Sequence, residues 1–131
     1  LRTKTVRIRQ NRLFRTFLFL IKSIGKEAIM EVAAKKESNN LVIFLIGELD
    51  EYTAPYTRSA IDKALDGYKS ADIIFDLSGL TFMDSTGIGV LISKYKQLKG
   101  ADSRLYVRKP SKSIDKIFNM AGLYSIMPKI S

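Results

Sequence analysis

A chain of 131 residues, 46% of them apolar, has the length of one globular domain with one core. It contains no histidine, cysteine or tryptophan, which excludes a Ser-His-Asp triad, a cysteine nucleophile, a disulfide and a Cys/His zinc site. Its net charge of +9 belongs mostly to residues 1–29, with eight Lys or Arg and one Glu, whereas residues 30–131 have a net charge of about +2.

The first 29 residues differ from the rest of the chain. Basic residues recur as far as Arg15, and the apolar run at 17–21 is far shorter than the roughly 20 residues of a membrane-spanning helix. We expect Met30 to be the natural start and residues 1–29 to be a basic N-terminal extension that is not native or is disordered. The alternatives are a basic amphipathic helix on a membrane or a partner, or a nucleic-acid-binding arm.

From Met30 onward, apolar patterns and turn residues predict alternating strands and helices. The predicted strands span residues 32–37, 41–46, 72–77, 104–107 and 124–127. The predicted helices run from Thr53, as N-cap, to near Gly67, over 86–99, and from Pro110 to Gly122. Asn39 and Asn40 suggest a hairpin between the first two strands.

The apolar positions also predict which faces are buried. The run at 41–46 is apolar without alternation, which predicts a central strand covered on both faces. In the second helix, Leu91 and Leu98 are predicted inward and Lys94 outward. The order β-β-α-β-α-β-α-β predicts an α/β fold, with a mainly parallel sheet of four to five strands and right-handed crossover helices.

An Asp-Ser pair stands where the strand at 72–77 and its following turn give way to the second helix. Backbone N–H groups at a helix start lack partners within the helix and the dipole is positive there, so a phosphate on Ser85 would be well placed. The alternative is that Ser85 is an N-cap serine, which would stabilise the helix by about 1 kcal/mol and have no regulatory role. Gly87 and Gly89 each cost about 1 kcal/mol in a helix, which indicates close helix packing on the sheet or close approach of a partner.

Three motifs in order carry a resemblance to a known family. They are Gly47-Glu-Leu-Asp, then Asp76-Leu-Ser-Gly-Leu-Thr-Phe-Met-Asp-Ser-Thr-Gly-Ile-Gly, then Phe118-Asn-Met-Ala-Gly-Leu. With their strand-helix pattern they resemble bacterial anti-sigma-factor antagonists of the STAS domain family, over roughly residues 31–127. Members of the family often end with a further helix, and residues 1–29 have no counterpart in it. We therefore divide the chain into an extension, 1–29, and a STAS domain, 30–131.

The resemblance implies a small cytoplasmic α/β domain, expected to be a monomer, with no catalytic activity, cofactor or metal. It implies binding to an anti-sigma factor that is also an ATP-dependent serine kinase and that phosphorylates Ser85. Phosphorylation releases the partner, which then sequesters its sigma factor, and a phosphatase restores the binding form. The residues expected to contact the partner are Glu48, Asp50, Asp84, Ser85, Thr86 and Gly87.

Other functions fit the sequence less well. A STAS module of a membrane transport or lipid-trafficking system is the main alternative, although no apolar segment is long enough to span a membrane. A nucleotide-binding domain lacks the Gly-x-x-x-x-Gly-Lys-[Ser/Thr] loop. Met83 breaks the Gly-x-Ser-x-Gly motif of a serine hydrolase. Nucleic-acid binding would need a basic face on the folded part, which a charge of about +2 does not supply.

Overall fold

A computed structural model describes residues 2–10, 15–23, 29–66, 68 and 72–130, with side chains described from residue 30 onward. Its strands are β1 (Arg2–Gln10), β2 (Arg15–Ser23), β3 (Ile29–Glu37), β4 (Asn40–Leu49), β5 (Asp72–Asp76), β6 (Leu80–Met83), β7 (Leu105–Arg108) and β8 (Lys129–Ile130). Its helices are α1 (Ala54–Leu65), α2 (Ser85–Gly100) and α3 (Lys112–Met120), followed by a 3₁₀ turn at Leu123–Ser125.

The described strands form one sheet in the order β1-β2-β3-β4-β5-β7-β8, with β6 paired to the end of β4. Pairs from β1 to β4 are antiparallel, and the pairs that involve β5, β6, β7 or β8 are parallel. The α/β class with a mostly parallel sheet is therefore confirmed for the part after β3. The described sheet has eight strands rather than four to five, because β1, β2, β6 and β8 were not predicted.

The N-terminal segment contributes two of these strands. Residues 2–10 and 15–23 form β1 and β2, not the amphipathic helix that was one alternative for the first 29 residues. β2 pairs with β3 from Phe17 opposite Ala34 to Lys22 opposite Ile29. Whether residues 1–29 are an extension apart from a domain at 30–131 stays a prediction.

The three described α-helices pack on the same face of the sheet. The parallel connections run from β4 to β5, then β7, then β8, always in one direction, and right-handed crossovers in one direction place their helices on one side. Leu41, Ile43 and Leu45 of β4 are fully buried in the core on that side. On the other face Phe44 is half-buried and Ile46 is 36% exposed. The prediction that β4 is covered on both faces is therefore wrong towards its C-terminal end.

Two connections show how well turn residues predict structure. The hairpin is confirmed, since Glu37 pairs with Asn40 across a two-residue turn in which Ser38 has a φ of 55°. The predicted strand at 124–127 is wrong. Gly122, at a φ of 70°, is followed by a 3₁₀ turn, and the Met127 N–H donates to the Leu123 carbonyl at 3.0 Å. These local backbone bonds replace the predicted sheet pairing.

A chain of charged groups crosses the face of the sheet opposite the three described helices. The Arg108 guanidinium donates to Asp76 at 2.8 Å and to both carboxylate oxygens of Glu37, at 3.2 and 3.3 Å. Asp76 also accepts from the Ser78 hydroxyl at 2.6 Å, just after β5. Burial disfavours the ionised form of Asp76, but the hydrogen bonds from Ser78 and Arg108 outweigh this and lower its pKa. This network joins β3, β5 and β7.

One charged side chain lies where the sequence did not predict it. Lys94 of α2 was expected to point outward, but its side chain is only 5% exposed. Its Nζ donates to Asp62 of α1 at 2.5 Å and to Gln97 at 3.4 Å. The aliphatic part of the lysine packs between the two helices while its ammonium group reaches a carboxylate, so the prediction for Lys94 is wrong.

Candidate functional site

The predicted site residues lie together at the edge of the sheet where β4 and β6 end. These strands pair in parallel, with Glu48 opposite Phe82 and Leu49 opposite Met83. The Asp84 N–H then donates to the Leu49 carbonyl at 3.3 Å, which joins the start of α2 to the end of β4. This contact brings the segment 84–87 beside the segment 48–50. We call these two segments, with the loop from β4 to α1, the switch edge.

Ser85 is the first residue of α2 and is exposed. The N-cap is Asp84, which has an extended backbone and whose carboxylate accepts from the Gly87 N–H at 3.0 Å. A capping residue needs a non-helical backbone, whereas Ser85 is already helical. The alternative that Ser85 is an N-cap serine is therefore wrong, since its neighbour has that role.

Gly87 allows the first turn of α2 to lie directly on the end of β4. A Cβ atom at this position would lie 2.6 Å from Met83 Cγ and 2.8 Å from the Leu49 carbonyl oxygen. At Gly89, a Cβ atom would meet nothing within 4 Å. Close helix packing on the sheet therefore explains the glycine at 87 but not the glycine at 89.

The loop from β4 to α1 is held by Asp50 and Thr53, both buried. The Asp50 carboxylate accepts from the backbone N–H groups of Tyr52 at 2.9 Å and Thr53 at 3.1 Å. The Thr53 hydroxyl donates to the Glu48 carbonyl at 2.7 Å and accepts from the Asp50 N–H at 3.0 Å. Thr53 precedes α1 as predicted, but its side chain makes no capping bond to the helix because it is engaged with β4.

A bulge in β4 sets the position of the residues that follow it. The pairing of β4 with β6 shifts between Gly47 and Glu48, and Gly47 has a φ of 116°, which favours glycine. The Gly47 N–H donates to the Gly79 carbonyl at 2.9 Å, and the Thr81 hydroxyl donates to the Gly47 carbonyl at 3.0 Å. The bulge therefore directs Glu48 outward while Asp50 turns into the loop.

Two exposed aromatic residues, one in the switch edge and one just before it in β6, were not among the predicted site residues. Tyr52, in the loop after β4, is 51% exposed, and Phe82 of β6 is 48% exposed. They lie among the exposed carboxylates of Glu48 and Glu51. Large aromatic residues are enriched in the cores of protein interfaces, and this edge therefore has the composition of a protein-binding surface. The sequence signal was Phe82 within a short segment that was not recognised as a strand.

Two kinds of feature were sought among the described residues, a group of metal-binding side chains and a membrane-spanning helix. Among them, no three acidic, histidine or cysteine side chains are grouped so that they could hold a metal ion. Likewise, none of the helices in the described part of the chain combines the length and the apolar character needed to cross a bilayer.

Comparisons with known proteins show the family of this chain. The family model of the STAS domain matches residues 31–131. The chain belongs to the STAS domain family. It is 29% identical, over 76% of its length and 85% of the relative, to an anti-sigma F factor antagonist of Paenibacillus polymyxa.

Solved STAS structures are also similar to this chain. The unphosphorylated form of the anti-sigma factor antagonist SpoIIAA superposes with a TM-score of 0.63 at 28% identity, over 76% of this chain and 88% of that protein. The phosphorylated form of the Bacillus cell fate determinant SpoIIAA has a TM-score of 0.58 at 28% identity, over 76% of this chain and 91% of that protein. The Paenibacillus relative and the unphosphorylated SpoIIAA are both named anti-sigma factor antagonists.

Proposed function

We propose that this chain is an anti-sigma-factor antagonist that binds an anti-sigma factor through the switch edge and is turned off by phosphorylation of Ser85. The observation that carries the proposal is that Asp84, and not Ser85, caps the start of α2. Asp84 caps the helix, which leaves the exposed Ser85 hydroxyl without a capping role. The names of the related proteins supply the class of partner.

A phosphate at this position would leave the fold intact. It adds a charge of about −1.5 to −2, which the positive end of the α2 dipole stabilises. The Asp84 carboxylate, one residue away, opposes it by like-charge repulsion. The two effects partly cancel in the free protein, so the main consequence falls on the partner. The phosphate adds bulk and negative charge to an edge that also carries the exposed Tyr52 and, two residues before Asp84, the exposed Phe82.

The phosphate must come from another protein. The chain contains no histidine, and within its described part no side chain is hydrogen-bonded to the Ser85 hydroxyl, so we expect a group of the partner to activate it. We infer that the anti-sigma factor is itself an ATP-dependent serine kinase and that a separate phosphatase removes the phosphate. The chain then acts as a cytoplasmic, monomeric, non-enzymatic regulator without a cofactor.

The remaining switch-edge residues contribute in two ways. Glu48 and Thr86 are placed for direct contact, because Glu48 is exposed and Thr86 half-buried beside Ser85. Asp50 and Gly87 are buried and act through shape, Asp50 by holding the loop and Gly87 by letting α2 approach β4. Asp84 contributes to shape because it caps α2, and to direct contact because it adds negative charge next to Ser85.

The test combines phosphorylation with partner capture. The chain is incubated with ATP and an anti-sigma-factor kinase from the same organism, and mass spectrometry locates the phosphate, expected on Ser85 and lost in Ser85→Ala. Ser85→Asp should weaken binding by about two to three decades, as a loss of about 3–4 kcal/mol at an interface centre implies. Ser93→Asp, on an exposed position of the same helix, is the matched control and should bind like the wild type.

Three results would contradict the proposal. The first is equal partner binding by the wild type and Ser85→Asp. The second is loss of circular dichroism in Ser85→Asp, which would make the effect one of unfolding. The third is recovery of membrane transport or lipid-trafficking components in place of a kinase, which would favour the alternative STAS function.

A further inference from the structure

A cavity of about 440 Å³ lies at the opposite edge of the sheet from Ser85, between the C-terminal end of α2 and the start of β7. Ser85 begins α2, whereas Tyr95 and Lys99, near its end, line the cavity. A helix of this length spans roughly 24 Å. The cavity is therefore separate from the switch edge.

An interruption of the β7–β8 ladder creates this cavity. The Arg104 carbonyl accepts a bond from β5 at 2.9 Å, while the Val107 N–H turns the other way and donates to the Pro128 carbonyl at 3.0 Å. Backbone groups of successive strand residues alternate between the two neighbouring strands, so the N–H and C=O of Leu105 point to the side of β8. The pairing with β8 begins only at Val107, opposite Lys129.

Proline explains why the ladder does not reach Leu105. A regular parallel ladder would use the N–H of residue 128 as donor to the Leu105 carbonyl, but Pro128 has no N–H. The chain just before it is engaged in the 3₁₀ turn, where the Ile126 and Met127 N–H groups donate to Leu123 at 3.1 and 3.0 Å. The backbone N–H and C=O groups of Leu105 therefore face the cavity that this residue lines.

The rim of the cavity favours an anion. Lys99 and Arg104 are exposed on it and Asp102 is the one carboxylate among its lining residues, which leaves an excess positive charge. Tyr106, two positions further along the chain, raises the pKa of Arg104, and both residues line the cavity. Tyr95 and Tyr106 add half-buried aromatic surface.

We propose that this cavity binds a small organic anion with a planar amide-type edge. Its carboxylate or phosphate group would pair with Lys99 and Arg104, because charge-assisted hydrogen bonds are the strongest available contacts here. Its planar body would lie against the tyrosine rings, and its donor–acceptor edge would bond to the backbone of Leu105. The cavity volume lies in the range of sites for small ligands.

The test is a titration of the ¹⁵N-labelled full chain followed by NMR. The probes are N-acetylphenylalanine, which carries a carboxylate, N-acetyl-O-phosphotyrosinamide, which carries a phosphate, and neutral N-acetylphenylalaninamide. We expect saturable shifts of the amide signals of Arg104, Leu105 and Tyr106 with at least one anionic probe, whose identity tells carboxylate from phosphate. The neutral probe should bind about tenfold or more weakly, as loss of a charged contact implies.

Variants distinguish binding in the cavity from general electrostatic attraction of the anionic probe to the protein. Lys99→Gln together with Arg104→Gln should weaken binding of the anionic probe about tenfold, while Lys96→Gln, an exposed lysine of α2 outside the lining, should leave it unchanged. Absence of saturable shifts up to about 10 mM probe would overturn the proposal. So would equal binding of neutral and anionic probes, or equal loss in Lys96→Gln. The result does not depend on Ser85.

Discussion

Replacing Gly87 by alanine tests the contact that joins α2 to β4. The new Cβ atom would stand 2.6 Å from Met83 Cγ, 2.8 Å from the Leu49 carbonyl oxygen and 3.0 Å from Leu49 Cγ, all inside the normal separation of about 3.5–4.0 Å. The methionine can rotate away. The Leu49 carbonyl cannot move freely, because it accepts the Asp84 N–H at 3.3 Å and belongs to a paired strand.

Two opposing terms determine the size of this effect. Overpacking in a closed site costs about 1–3 kcal/mol. Alanine regains about 1 kcal/mol over glycine inside a helix. Because the Leu49 carbonyl is held in place, we expect the upper part of the overpacking range, about 2–3 kcal/mol, so Gly87→Ala should lower the free energy of unfolding by about 1–2 kcal/mol. The melting temperature should fall by about 4 °C per kcal/mol.

Gly89→Ala is the matched control in the same turn region of α2. It adds a Cβ atom to open space and should raise the free energy of unfolding by up to about 1 kcal/mol. Both variants are compared with the wild type by urea and thermal unfolding, followed by circular dichroism. The reasoning would be refuted if Gly87→Ala were as stable as the wild type, or gained stability as Gly89→Ala does.

Three further variants test individual charged and polar contacts. Asp76→Asn should cost about 1–3 kcal/mol at neutral pH. The folded-state pKa of Asp76 is lowered, so the stability difference between the wild type and Asp76→Asn is complete at a pH well above the unfolded-state pKa of about 3.9. The difference shrinks as the pH falls below that value, and unfolding at pH 7 and at pH 3 measures this. Asp62→Asn should destabilise the protein because it leaves the buried ammonium of Lys94 without its counter-charge, whereas Lys94→Met should be close to neutral in stability; urea unfolding at pH 7 measures both, and equal losses would contradict this. Tyr124→Phe should cost about 1 kcal/mol. Burial, and then the hydrogen bond to Asp115, raise the pKa of Tyr124. The stabilisation by Tyr124 is therefore complete below the unfolded-state pKa of about 10 and is lost as the pH rises above it. In an absorbance titration, the wild type should show one tyrosine that ionises at a higher pH than the others, and this step should be missing in Tyr124→Phe.

Local patterns in the sequence were sufficient for much of the fold. Apolar runs separated by turn residues predicted the three helices and four of the described strands, β3, β4, β5 and β7, and α2 begins and ends within one residue of the predicted bounds of 86–99. The hairpin was predicted from Asn39 and Asn40, and the structure places its two turn residues at Ser38 and Asn39, whose residue types suit a tight turn. Such features depend on neighbours in the chain, which is why the sequence alone predicts them.

Features that depend on distant partners escaped prediction. Strand β6 has only four residues, without a clean alternation, and exists because it pairs with β4 beyond the bulge at Gly47. The 3₁₀ turn replaced a predicted strand because Leu123 accepts bonds from the residues after it. The burial of Lys94 depends on Asp62, which lies 32 positions away in the chain.

At the switch edge, local sequence determined one feature and tertiary contacts determined another. The sequence by itself determined that an Asp-Ser pair stands where a strand gives way to a helix, because apolar periodicity changes there. It did not determine which of the two caps the helix, since both residue types are good caps. Tertiary structure decided this: the Asp84 N–H is bound to Leu49 of β4, which holds Asp84 in an extended conformation outside the helix and makes Ser85 its first residue.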